Sequence, residues 1–572
     1  MSERETIDAK ETGRINRQAW LDSPYIGDDT KEEIRAMTDE NEVAEAFSRD
    51  LAFGTGGMRG IMGPGSDRMN LYTVRRAILG VAGWLLKTSS KDPERGAAIA
   101  CDTRNNSMAF ARHAALTLAD EGVKVYLFAS PTPTPVLSNA IRHFGCATGV
   151  VITASHNTKE FNGMKIYNDG GCQLPPEEAT PLMEVIETIP LFSPAPKSDF
   201  DALAAEGKIV VVGEDFRRQF VATVLEHSLL EDQAAKATLS VVYTPLNGTG
   251  NLFVREALRE AGFAQVTVVP EQELPDGEFP TVIQPNPEDT RALAMAIDLA
   301  LRTKADLVVG TDPDADRLGT AIYHQGEFHT ISGNQIGVLL TDYILTIKKN
   351  LDLLPEEGVF INTIVSSSLG DVIARAYGLE VVKTLTGFKY IGEQMIKMES
   401  EAASGGKRTY VFGYEESNGY LVGDFARDKD AIGAALLFCE AAAYWKRKGM
   451  TAIDRLEEIF RIYGYYLDHL DNFVFPGIEG MEKMAGLMDK LRQAGQNALP
   501  GVEEVEDYLK GINGIPSDNV LRFILKGDAW IAARPSGTEP KMKFYYSIRG
   551  DDKEKAGERL AQLQKAIGSL VE

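Results

Sequence analysis

The chain has 572 residues, of which 44% are hydrophobic and 25% charged, and its formal net charge at pH 7 is −23. This length accommodates roughly three to five domains, each with its own core. The excess of acidic residues argues against nucleic acid and against an anionic membrane as partners, because both require clustered lysine and arginine. No apolar run approaches the ~20 residues that span a bilayer, so we expect a cytoplasmic protein.

The four cysteines lie far apart in the sequence and form no CxxC pair. They are Cys101, Cys146, Cys172 and Cys439. Most of them have apolar neighbours, which is typical of reduced thiols in protein cores. We therefore expect neither disulfide bonds nor a zinc site.

The N-terminal region, residues 4–50, is polar and acidic. Its apolar residues are spaced along the segment at Ile34, Met37, Val43 and Phe47. This spacing predicts short surface helices that lead into the first domain.

One pattern of strand, helix, strand, helix and strand then recurs three times. The predicted elements are 96–104, 107–120, 123–128, 134–144 and 149–156 in the first copy, 239–248, 251–261, 265–270, 288–302 and 305–316 in the second, and 358–368, 369–377, 379–387, 388–398 and 409–419 in the third. Each last strand ends in a polar, glycine-containing motif, and these motifs begin near Ser155, Asp312 and Glu415. Open α/β sheets bind ligands at this end of their strands, so each motif is a candidate binding loop.

Polar stretches near 190–207 and 320–335 mark the boundaries between the copies. From about residue 455 the pattern changes, and helical segments lead to short strands and a closing helix at 552–569. The sequence thus predicts an α/β protein in which three topologically similar α/β domains precede an α+β domain. The predicted domains are residues 1–205, 206–325, 326–452 and 453–572.

The segment TASHNTKEFNGMKIY (residues 153–167) places Ser155 in a polar turn between two apolar, β-like runs. A serine beside histidine and asparagine in such a turn is more often a hydrogen-bonding loop residue than a nucleophile. The turn becomes a candidate for chemistry only together with the motifs that follow.

The segment GTDPDADR (residues 310–317) follows an apolar strand and offers carboxylates at Asp312, Asp314 and Asp316. These hard oxygen ligands suit Mg²⁺, and three carboxylates this close repel one another unless a cation joins them. An EF-hand also begins with alternating aspartates, but Arg317 stands where its glycine is required. The segment is therefore a candidate Mg²⁺ loop.

Two further segments carry polar groups suited to a phosphosugar. RPSGTEPK (residues 534–541) combines an arginine, two hydroxyls and a glycine that allows close backbone approach, a set suited to an anion such as phosphate. GYEESNG (residues 413–419) presents Glu415 and Ser417 at a strand end, where a carboxylate and a hydroxyl can bond vicinal sugar hydroxyls. The glycine-rich FGTGGMRG (residues 53–60) carries Arg59 but matches neither the dinucleotide nor the Walker pattern, so no nucleotide cofactor is indicated.

Taken in this order, TASHN, DPDADR, GYEES and RPSGTEP resemble the α-D-phosphohexomutase family, which contains phosphoglucomutases and phosphomannomutases. The resemblance covers roughly residues 45–550. The forms TASHNTKEFNGMKIY, TLTGFKYIG and FGTGGMRG look most like the branch related to phosphoglucomutase-2, which also contains phosphopentomutases. Two positions depart mildly from the family's pattern, namely Thr158 and Met164.

The resemblance implies a fold, a reaction and a set of site residues. It implies four domains in a heart shape around a central cleft, with a mutase reaction that interconverts glucose 1-phosphate and glucose 6-phosphate. It implies that Ser155 is phosphorylated and takes part in the Mg²⁺ site with Asp312, Asp314 and Asp316. It also implies that Glu415 and Ser417 bind sugar hydroxyls. Arg534, Ser536, Gly537 and Thr538 would hold the phosphate that does not react.

In this mechanism phospho-Ser155 donates to the sugar and forms a bound glucose 1,6-bisphosphate, which also serves as activator. Arg317 and Arg59 are candidates to stabilise charge on the phosphoryl group, and Lys389 is a candidate sugar-binding residue. The general base is either His156 or Lys165, and the sequence does not choose between them. Because the bisphosphate must turn over, we expect the last domain to move as a lid.

Other functions of the same scaffold stay open at this point. They are phosphomannomutase or phosphopentomutase activity, synthesis of a sugar bisphosphate, a phosphatase in which water replaces the sugar, and a sugar-phosphate sensor without activity. We expect small phosphosugars as partners and a monomer or a homodimer as the assembly.

Overall fold

A computed structural model describes residues 3–54, 56–88, 93–475, 478–536 and 541–571. Three helices precede the first sheet: α1 (Glu3–Asp22), α2 (Asp28–Ala36) and α3 (Glu40–Phe47). Of the four apolar positions predicted to anchor this region, Ile34, Val43 and Phe47 are buried and Met37 is half-buried. They pack around Trp20, which gives the helices a small core of their own.

The first α/β unit follows these helices. Its elements are β1 (Phe53–Gly54), β2 (Gly57–Ile61), α4 (Leu71–Lys87), β3 (Ala97–Cys101), α5 (Ser107–Asp120), β4 (Val125–Phe128), α6 (Thr134–Phe144), β5 (Thr148–Ile152), β6 (Phe161–Tyr167), α7 (Pro176–Thr188), α8 (Phe200–Ala205) and β7 (Ile209–Val212).

The second unit contains a five-stranded sheet within the described ranges. Its elements are α9 (Glu214–Leu225), α10 (Gln233–Thr238), β8 (Ser240–Thr244), α11 (Gly250–Ala261), β9 (Gln265–Val268), α12 (Pro270–Glu273), α13 (Ala294–Thr303), β10 (Leu307–Thr311), β11 (Leu318–His324) and β12 (Glu327–Thr330).

The third and fourth units complete the chain. The third comprises α14 (Gly333–Asn350), β13 (Gly358–Thr363), α15 (Ser368–Ala376), β14 (Glu380–Thr384), α16 (Phe388–Ala403), β15 (Thr409–Glu415), β16 (Gly419–Leu421), α17 (Ala431–Arg447) and α18 (Ala452–Tyr463). The fourth comprises β17 (Tyr465–Val474), α19 (Ile478–Ala494), β18 (Val502–Asp507), β19 (Leu521–Leu525), β20 (Ala529–Pro535), β21 (Lys541–Gly550) and α20 (Lys553–Val571).

The three α/β sheets share one topology, which confirms the predicted repeat. In each, the first strand of the copy lies between the second and third strands and is parallel to both, and a fourth strand joins the third in antiparallel orientation. The orders are β4-β3-β5-β6, β9-β8-β10-β11 and β14-β13-β15-β16. Helices pack on these sheets, and the central strands β3, β5, β10 and β13 are buried along their whole length.

The fourth unit is an antiparallel sheet flanked by helices, in the order β17-β21-β20-β19-β18. The predicted strands β19, β20 and β21 and the closing helix α20 are present. Strands β17 and β18 were not predicted because their sequences, YYLDHLDNFV and VEEVED, are rich in polar and acidic residues. Both lie at edges of the sheet, where such side chains face water.

The sheets of the first and second units extend past residues 205 and 325. Strands β7 and β12 lie beyond these two residues and pair with β4 and β11 of the preceding sheets. Both are edge strands that follow polar stretches, which is why those stretches resembled linkers. The third unit likewise extends to Tyr463, because α18 packs on α14 and α17.

One predicted helix also differs from the structure. The segment 288–302 begins with a loop, continues as a 3₁₀ turn (Thr290–Leu293) and becomes helical only at Ala294. The side chain of Asp289 caps the turn by accepting the backbone N–H of Arg291 at 2.9 Å, and this cap fixes the later start of the helix.

All four cysteines are buried free thiols. No helix in the described ranges combines the length and the apolar composition needed to cross a membrane.

A buried ion pair joins the second and third units. Lys236 Nζ of α10 lies 2.8 Å from Glu440 Oε1 of α17, and neither side chain is more than 2% exposed. The other carboxylate oxygen accepts the backbone N–H groups of Leu229 and Leu230 at 2.8 and 3.1 Å. A charge that is buried this completely is tolerated only because every partner is present.

We predict that Glu440→Ala lowers the free energy of unfolding by about 3–5 kcal/mol, because it leaves the Lys236 ammonium buried without a counter-ion. Urea unfolding followed by circular dichroism measures the shift. The matched control is Glu206→Ala, which removes the partner of Lys208 in an exposed pair and should cost at most about 1 kcal/mol. Equal effects of the two substitutions would contradict the assignment of a stabilising buried pair.

Candidate active site

The three candidate loops occupy the same place in the three repeated sheets. Each connects the third parallel strand with the antiparallel fourth strand, that is β5 with β6, β10 with β11, and β15 with β16. In parallel sheets this is the end where ligand-binding loops gather. The repeat of the fold therefore explains why the motifs, about 100 to 160 residues apart in sequence, converge.

Ser155 follows β5 and is buried, with 3% of its surface exposed. Its backbone is left-handed at φ 52°, which is unfavourable for a residue with a Cβ atom. Its Oγ donates to Asp312 Oδ2 at 3.0 Å and lies 3.1 Å from His156 Nδ1. The serine hydroxyl thus sits between a carboxylate of the second unit and an imidazole.

Arg104 holds the backbone of the serine loop in place through its guanidinium group. Its guanidinium donates to the carbonyl oxygen of Ser155 at 2.6 Å and to three other carbonyl groups of the same loop, those of Asn157, Thr158 and Phe161. It also pairs with Asp102, whose Oδ2 lies 3.3 Å from its Nε. Arg104, which ends the predicted strand 96–104, is 3% exposed and supports this loop.

The carboxylates of Asp312, Asp314 and Asp316 are buried, and each offers an oxygen within 4.8 Å of the others. Asp312 Oδ1 accepts the backbone N–H groups of Asp316 and Arg317, both at 3.0 Å, and these bonds close the loop. Ala315 at the turn is left-handed, with φ 51°. The sequence prediction that these three carboxylates form one cluster is confirmed.

The neighbouring strand β8 leads into a turn that packs directly on this loop. At Gly248 a Cβ atom would lie 2.5 Å from the Cα of Pro313, so only glycine allows the approach. The adjacent Thr249 donates both its N–H and its hydroxyl to the carbonyl of Pro313, at 2.8 and 2.9 Å. These contacts fix the aspartate loop against the turn that follows β8.

Two lysines from other units compensate the charge of the cluster. Lys165 Nζ of β6 lies 3.1 Å from Asp314 Oδ2 and 3.3 Å from Asp316 Oδ2. Lys429 Nζ of the third unit lies 3.1 Å from Asp316 Oδ2. Thr134 Oγ1 adds a hydrogen bond to Asp314 Oδ2 at 2.9 Å. The cluster is thus bonded to side chains of both neighbouring units.

These surroundings shift the pKa values of Asp312, Asp316 and Lys165 differently. Burial and the neighbouring carboxylates of Asp316 and Asp314 raise the pKa of Asp312 well above its usual value. Burial also raises the pKa of Asp316, but Lys429, Lys165 and Arg317 outweigh it and lower that pKa below its usual value. The same carboxylates raise the pKa of Lys165 despite its burial.

Two carboxylate oxygens of the cluster are free to bind a cation in addition to the two lysine ammonium groups. Asp314 Oδ1 and Asp316 Oδ1 are buried and have no hydrogen-bond partner among the described residues. Unpaired buried carboxylate oxygens are costly unless a ligand satisfies them. Carboxylates are the ligands that Mg²⁺ prefers, so the donor set fits a divalent cation held by Asp312, Asp314 and Asp316.

The third loop contributes Glu415 and Ser417, which both line the groove. Burial raises the pKa of Glu415, and Lys429 and Arg317 oppose this effect. Asn418 is left-handed at φ 61° and exchanges hydrogen bonds with Leu318, its Nδ2 donating to the Leu318 carbonyl at 2.8 Å. The third loop is thereby attached to the residue that follows the aspartate loop.

The fourth unit contributes Arg534 at the end of β20. Its Nε lies 3.8 Å from Asp518 Oδ2. The backbone N–H of Ser536 donates to the carbonyl of Lys541 at 2.8 Å. The other two predicted members of this loop, Gly537 and Thr538, lie outside the described residues.

One groove of about 850 Å³ brings most of the predicted site residues together. Its volume is in the range of small-molecule sites. Residues from all four units line it, and those predicted from the sequence are Arg59, Ser155, Lys165, Asp316, Arg317, Lys389, Glu415, Ser417 and Arg534.

The remaining polar candidates lie around the serine. Arg59 of β2 donates from Nη1 to Asn157 Oδ1 at 3.0 Å. Arg317 forms an ion pair with Glu288, which orients its guanidinium. Burial, together with Arg317 and Arg59, lowers the pKa of His156 well below its usual value, so the imidazole is neutral at pH 7. Burial also lowers the pKa of Lys389.

Sequence reasoning missed two residues that support this site, namely Thr134 and Lys429. Neither lies in the four motifs, and Thr134 is the first residue of an ordinary helix. Lys429 carried a weak signal, because it belongs to a run of four charged residues, RDKD (427–430), directly after an apolar strand. When a run of charged residues is buried in the folded protein, its side chains form ion pairs inside the protein.

Comparison with known families identifies matches over the first three units. The sequence profile of phosphoglucomutase/phosphomannomutase α/β/α domain I matches residues 50–191, that of domain II matches residues 218–325, and that of domain III matches residues 332–463. Together the three profiles cover more than half of the chain.

Individual relatives agree with these profiles. A phosphoglucomutase from Staphylococcus haemolyticus is 35% identical over 529 residues, which cover 90% of this chain and 93% of the relative. The solved structure of a Thermus thermophilus protein described as a phosphomannomutase has a TM-score of 0.66 at 23% identity and covers 91% of this chain and 99% of its own. Parafusin, a phosphoglucomutase from Paramecium, has a TM-score of 0.68 at 18% identity, covering 91% and 94%. Both structures are similar in fold to this chain.

We predict that the chain binds one Mg²⁺ per molecule and that Asp314→Asn weakens this binding by more than about tenfold, because one of three anionic ligands is lost. Isothermal titration calorimetry measures the affinity. Asp298→Asn is the control, since it removes an exposed carboxylate of the same unit that pairs with Arg302. Equal affinities of the two variants would place the cation elsewhere.

Proposed function

Since the chain belongs to the phosphoglucomutase/phosphomannomutase family, a family of intramolecular phosphotransferases of the isomerase class, we propose that it interconverts glucose 1-phosphate and glucose 6-phosphate. The observation that carries the proposal is the groove in which Ser155, the aspartate cluster, Glu415 and Arg534 meet. The choice of glucose is supported by the name of the Staphylococcus haemolyticus relative.

In the proposed reaction Ser155 carries the phosphoryl group that is transferred. The O6 hydroxyl of glucose 1-phosphate attacks this group, the bond from phosphorus to Ser155 Oγ breaks, and glucose 1,6-bisphosphate forms. After the bisphosphate has turned, Ser155 Oγ attacks the phosphorus on O1, the bond to O1 breaks, and glucose 6-phosphate is released. Mg²⁺ held by Asp312, Asp314 and Asp316 would neutralise charge on the phosphoryl oxygens.

Proton transfer needs two groups rather than one. In-line transfer places the attacking and leaving oxygens on opposite sides of phosphorus, so a single side chain cannot serve both. His156 Nδ1, 3.1 Å from Ser155 Oγ, is placed to exchange the proton of the serine. Lys165 lines the groove and is placed to contact the sugar oxygen and the phosphoryl group. We therefore assign His156 to the serine side and Lys165 to the sugar side.

The other groove residues would hold the sugar and its second phosphate. Glu415 and Ser417 accept from and donate to vicinal hydroxyls, and Lys389 contacts the sugar from the other wall. Arg534 would bind the phosphate that does not react, together with Ser536, Gly537 and Thr538. Arg59 and Arg317 lie next to the serine and would stabilise charge on the transferred group.

Two finer assignments belong to the proposal as well. The segments TASHNTKEFNGMKIY and FGTGGMRG support a place in the branch related to phosphoglucomutase-2. That branch also contains phosphopentomutases, so a pentose phosphate is the second candidate substrate, and glucose 1,6-bisphosphate is the proposed activator.

We predict that the purified protein with Mg²⁺, glucose 1-phosphate and a trace of glucose 1,6-bisphosphate forms glucose 6-phosphate without releasing inorganic phosphate, as followed by ³¹P NMR. The Ser155→Ala variant should be inactive and should lack the mass of one phosphoryl group on the intact protein. Release of inorganic phosphate would favour a phosphatase instead. Turnover of ribose 1-phosphate alone would transfer the proposal to pentoses.

We predict that Arg534→Ala raises KM for glucose 1-phosphate roughly 10- to 150-fold, because charge-assisted hydrogen bonds worth about 1.5–3 kcal/mol are lost. Steady-state kinetics measure KM and kcat separately. The control is Lys555→Ala, which removes an exposed cation of the same unit and should leave both constants unchanged. An unchanged KM in Arg534→Ala would contradict the phosphate-binding role.

A further inference from the structure

A second cavity of about 560 Å³ adjoins the groove on the outer side of the first unit. One wall comes from the N-terminal helices α1 and α3, which precede the segment matched by the family profiles. The other wall comes from β2 and the turn that follows it. Arg59 lines both this cavity and the groove, so the two compartments are adjacent.

The walls of this cavity are positively charged although the chain as a whole carries a net charge of −23. Two acidic side chains, Glu45 and Asp67, face four basic ones: Lys10, Arg49, Arg59 and Arg68. The cavity therefore carries a formal charge of +2.

Only part of this positive charge is paired. Arg49 Nε lies 2.5 Å from Asp67 Oδ2, and Arg68 Nη2 lies 3.6 Å from Glu45 Oε2. Arg59 donates to the neutral amide of Asn157, and Lys10 has no ion pair or hydrogen bond within the described residues. Two cations thus face the cavity without an acidic partner.

The remaining lining is suited to a small hydroxylated ligand. Asn41 and Ser48 add an amide and a hydroxyl to the lining on the helix side. The volume is in the range of small-molecule sites. Guanidinium groups bind phosphate through paired N–H donors, which makes a phosphate ester the best match for this charge.

We propose that this cavity is a second binding site for a phosphorylated small molecule, outside the catalytic groove and coupled to it through Arg59. The site would take inorganic phosphate or the phosphate of a small sugar, with Lys10 on the helical wall and Arg59 and Arg68 on the wall formed by β2 and its following turn. Because Arg59 serves both compartments, a ligand in either changes the affinity of the other, and such coupling is reciprocal. The inference goes beyond the proposed function and does not depend on it.

The test is binding of ³²P-labelled inorganic phosphate in equilibrium dialysis with the full chain. Lys10→Glu should weaken one binding site about tenfold, because a cation near the ligand becomes an anion, whereas Glu45→Gln should tighten the same site. Lys31→Glu makes the same charge change on α2, outside the cavity, and should have no effect. Both Lys10→Glu and Lys31→Glu keep good helix formers, and circular dichroism verifies the fold.

Arg534→Ala separates this site from the groove. It should leave the Lys10-dependent site in place, with its affinity changed only by the loss of coupling to the groove, even if it abolishes phosphate binding in the groove. The titration is then repeated with glucose 6-phosphate to identify which part of the ligand the site binds. A higher affinity for glucose 6-phosphate than for inorganic phosphate indicates that Asn41 and Ser48 contact the sugar. Equal affinities indicate that the site binds the phosphate group alone. Wild-type binding curves for Lys10→Glu and Glu45→Gln would overturn the proposal.

Discussion

The structure depends on the burial of three carboxylates in one five-residue segment. Their oxygens lie within 4.8 Å of one another, where two unit charges repel by about 3–4 kcal/mol at an effective dielectric constant of about 20. Within the second unit Arg317 opposes this charge, but its guanidinium is also paired with Glu288. Lys165 comes from the first unit and Lys429 from the third, and both approach the same carboxylate, Asp316. The relative placement of the three repeated units therefore depends on the charge of this cluster. A change in that charge alters the ion pairs that join the first and third units to the second.

The same loops also hold backbone in an unfavourable conformation. Ser155, Ala315 and Asn418 each occupy the left-handed region, one in each of the three repeated loops. A residue with a Cβ atom is disfavoured there by about 1–2 kcal/mol, so other contacts must stabilise it. Those contacts cross between the units, as when Ser155 bonds Asp312 and Asn418 bonds Leu318. The loops keep their shape because they are assembled against one another.

The sequence predicted the repeated strand and helix pattern and the four motifs because each depends on residues close together along the chain. Strand alternation, helix periodicity and the carboxylate spacing are local properties. The supporting residues were not predictable in this way, since Arg104 acts on carbonyl groups about 50 residues away and Lys429 on a carboxylate more than 100 residues away. The edge strands were missed for a related reason. A strand that is half exposed has a polar sequence, and only its pairing distinguishes it from a loop.

The contact between the third and fourth units limits how the fourth can move. Trp530, Val520 and Tyr545 pack on Ile364, Val365 and Leu385, and the indole N–H donates to Ser368 Oγ at 2.9 Å. Exposing one aromatic side chain of this cluster would cost roughly 4–6 kcal/mol for the area that such a residue buries. A lid that opened by separating this surface would be closed nearly all of the time.

The register of β20 shows how the phosphate-binding loop can open while the interface with the third unit stays buried. Trp530 and Ala532 belong to the cluster that faces the third unit, whereas Ile531 and Ala533 belong to the core of the fourth unit. By this alternation Arg534 lies on the same face as Trp530, four residues along the strand, which corresponds to about 13 Å. A rotation that keeps the aromatic cluster in contact as its pivot moves Arg534 by a few ångströms relative to the groove. Opening of the phosphate-binding loop and burial of the interface are therefore compatible, provided that the fourth unit turns about Trp530 and does not lift away from the third.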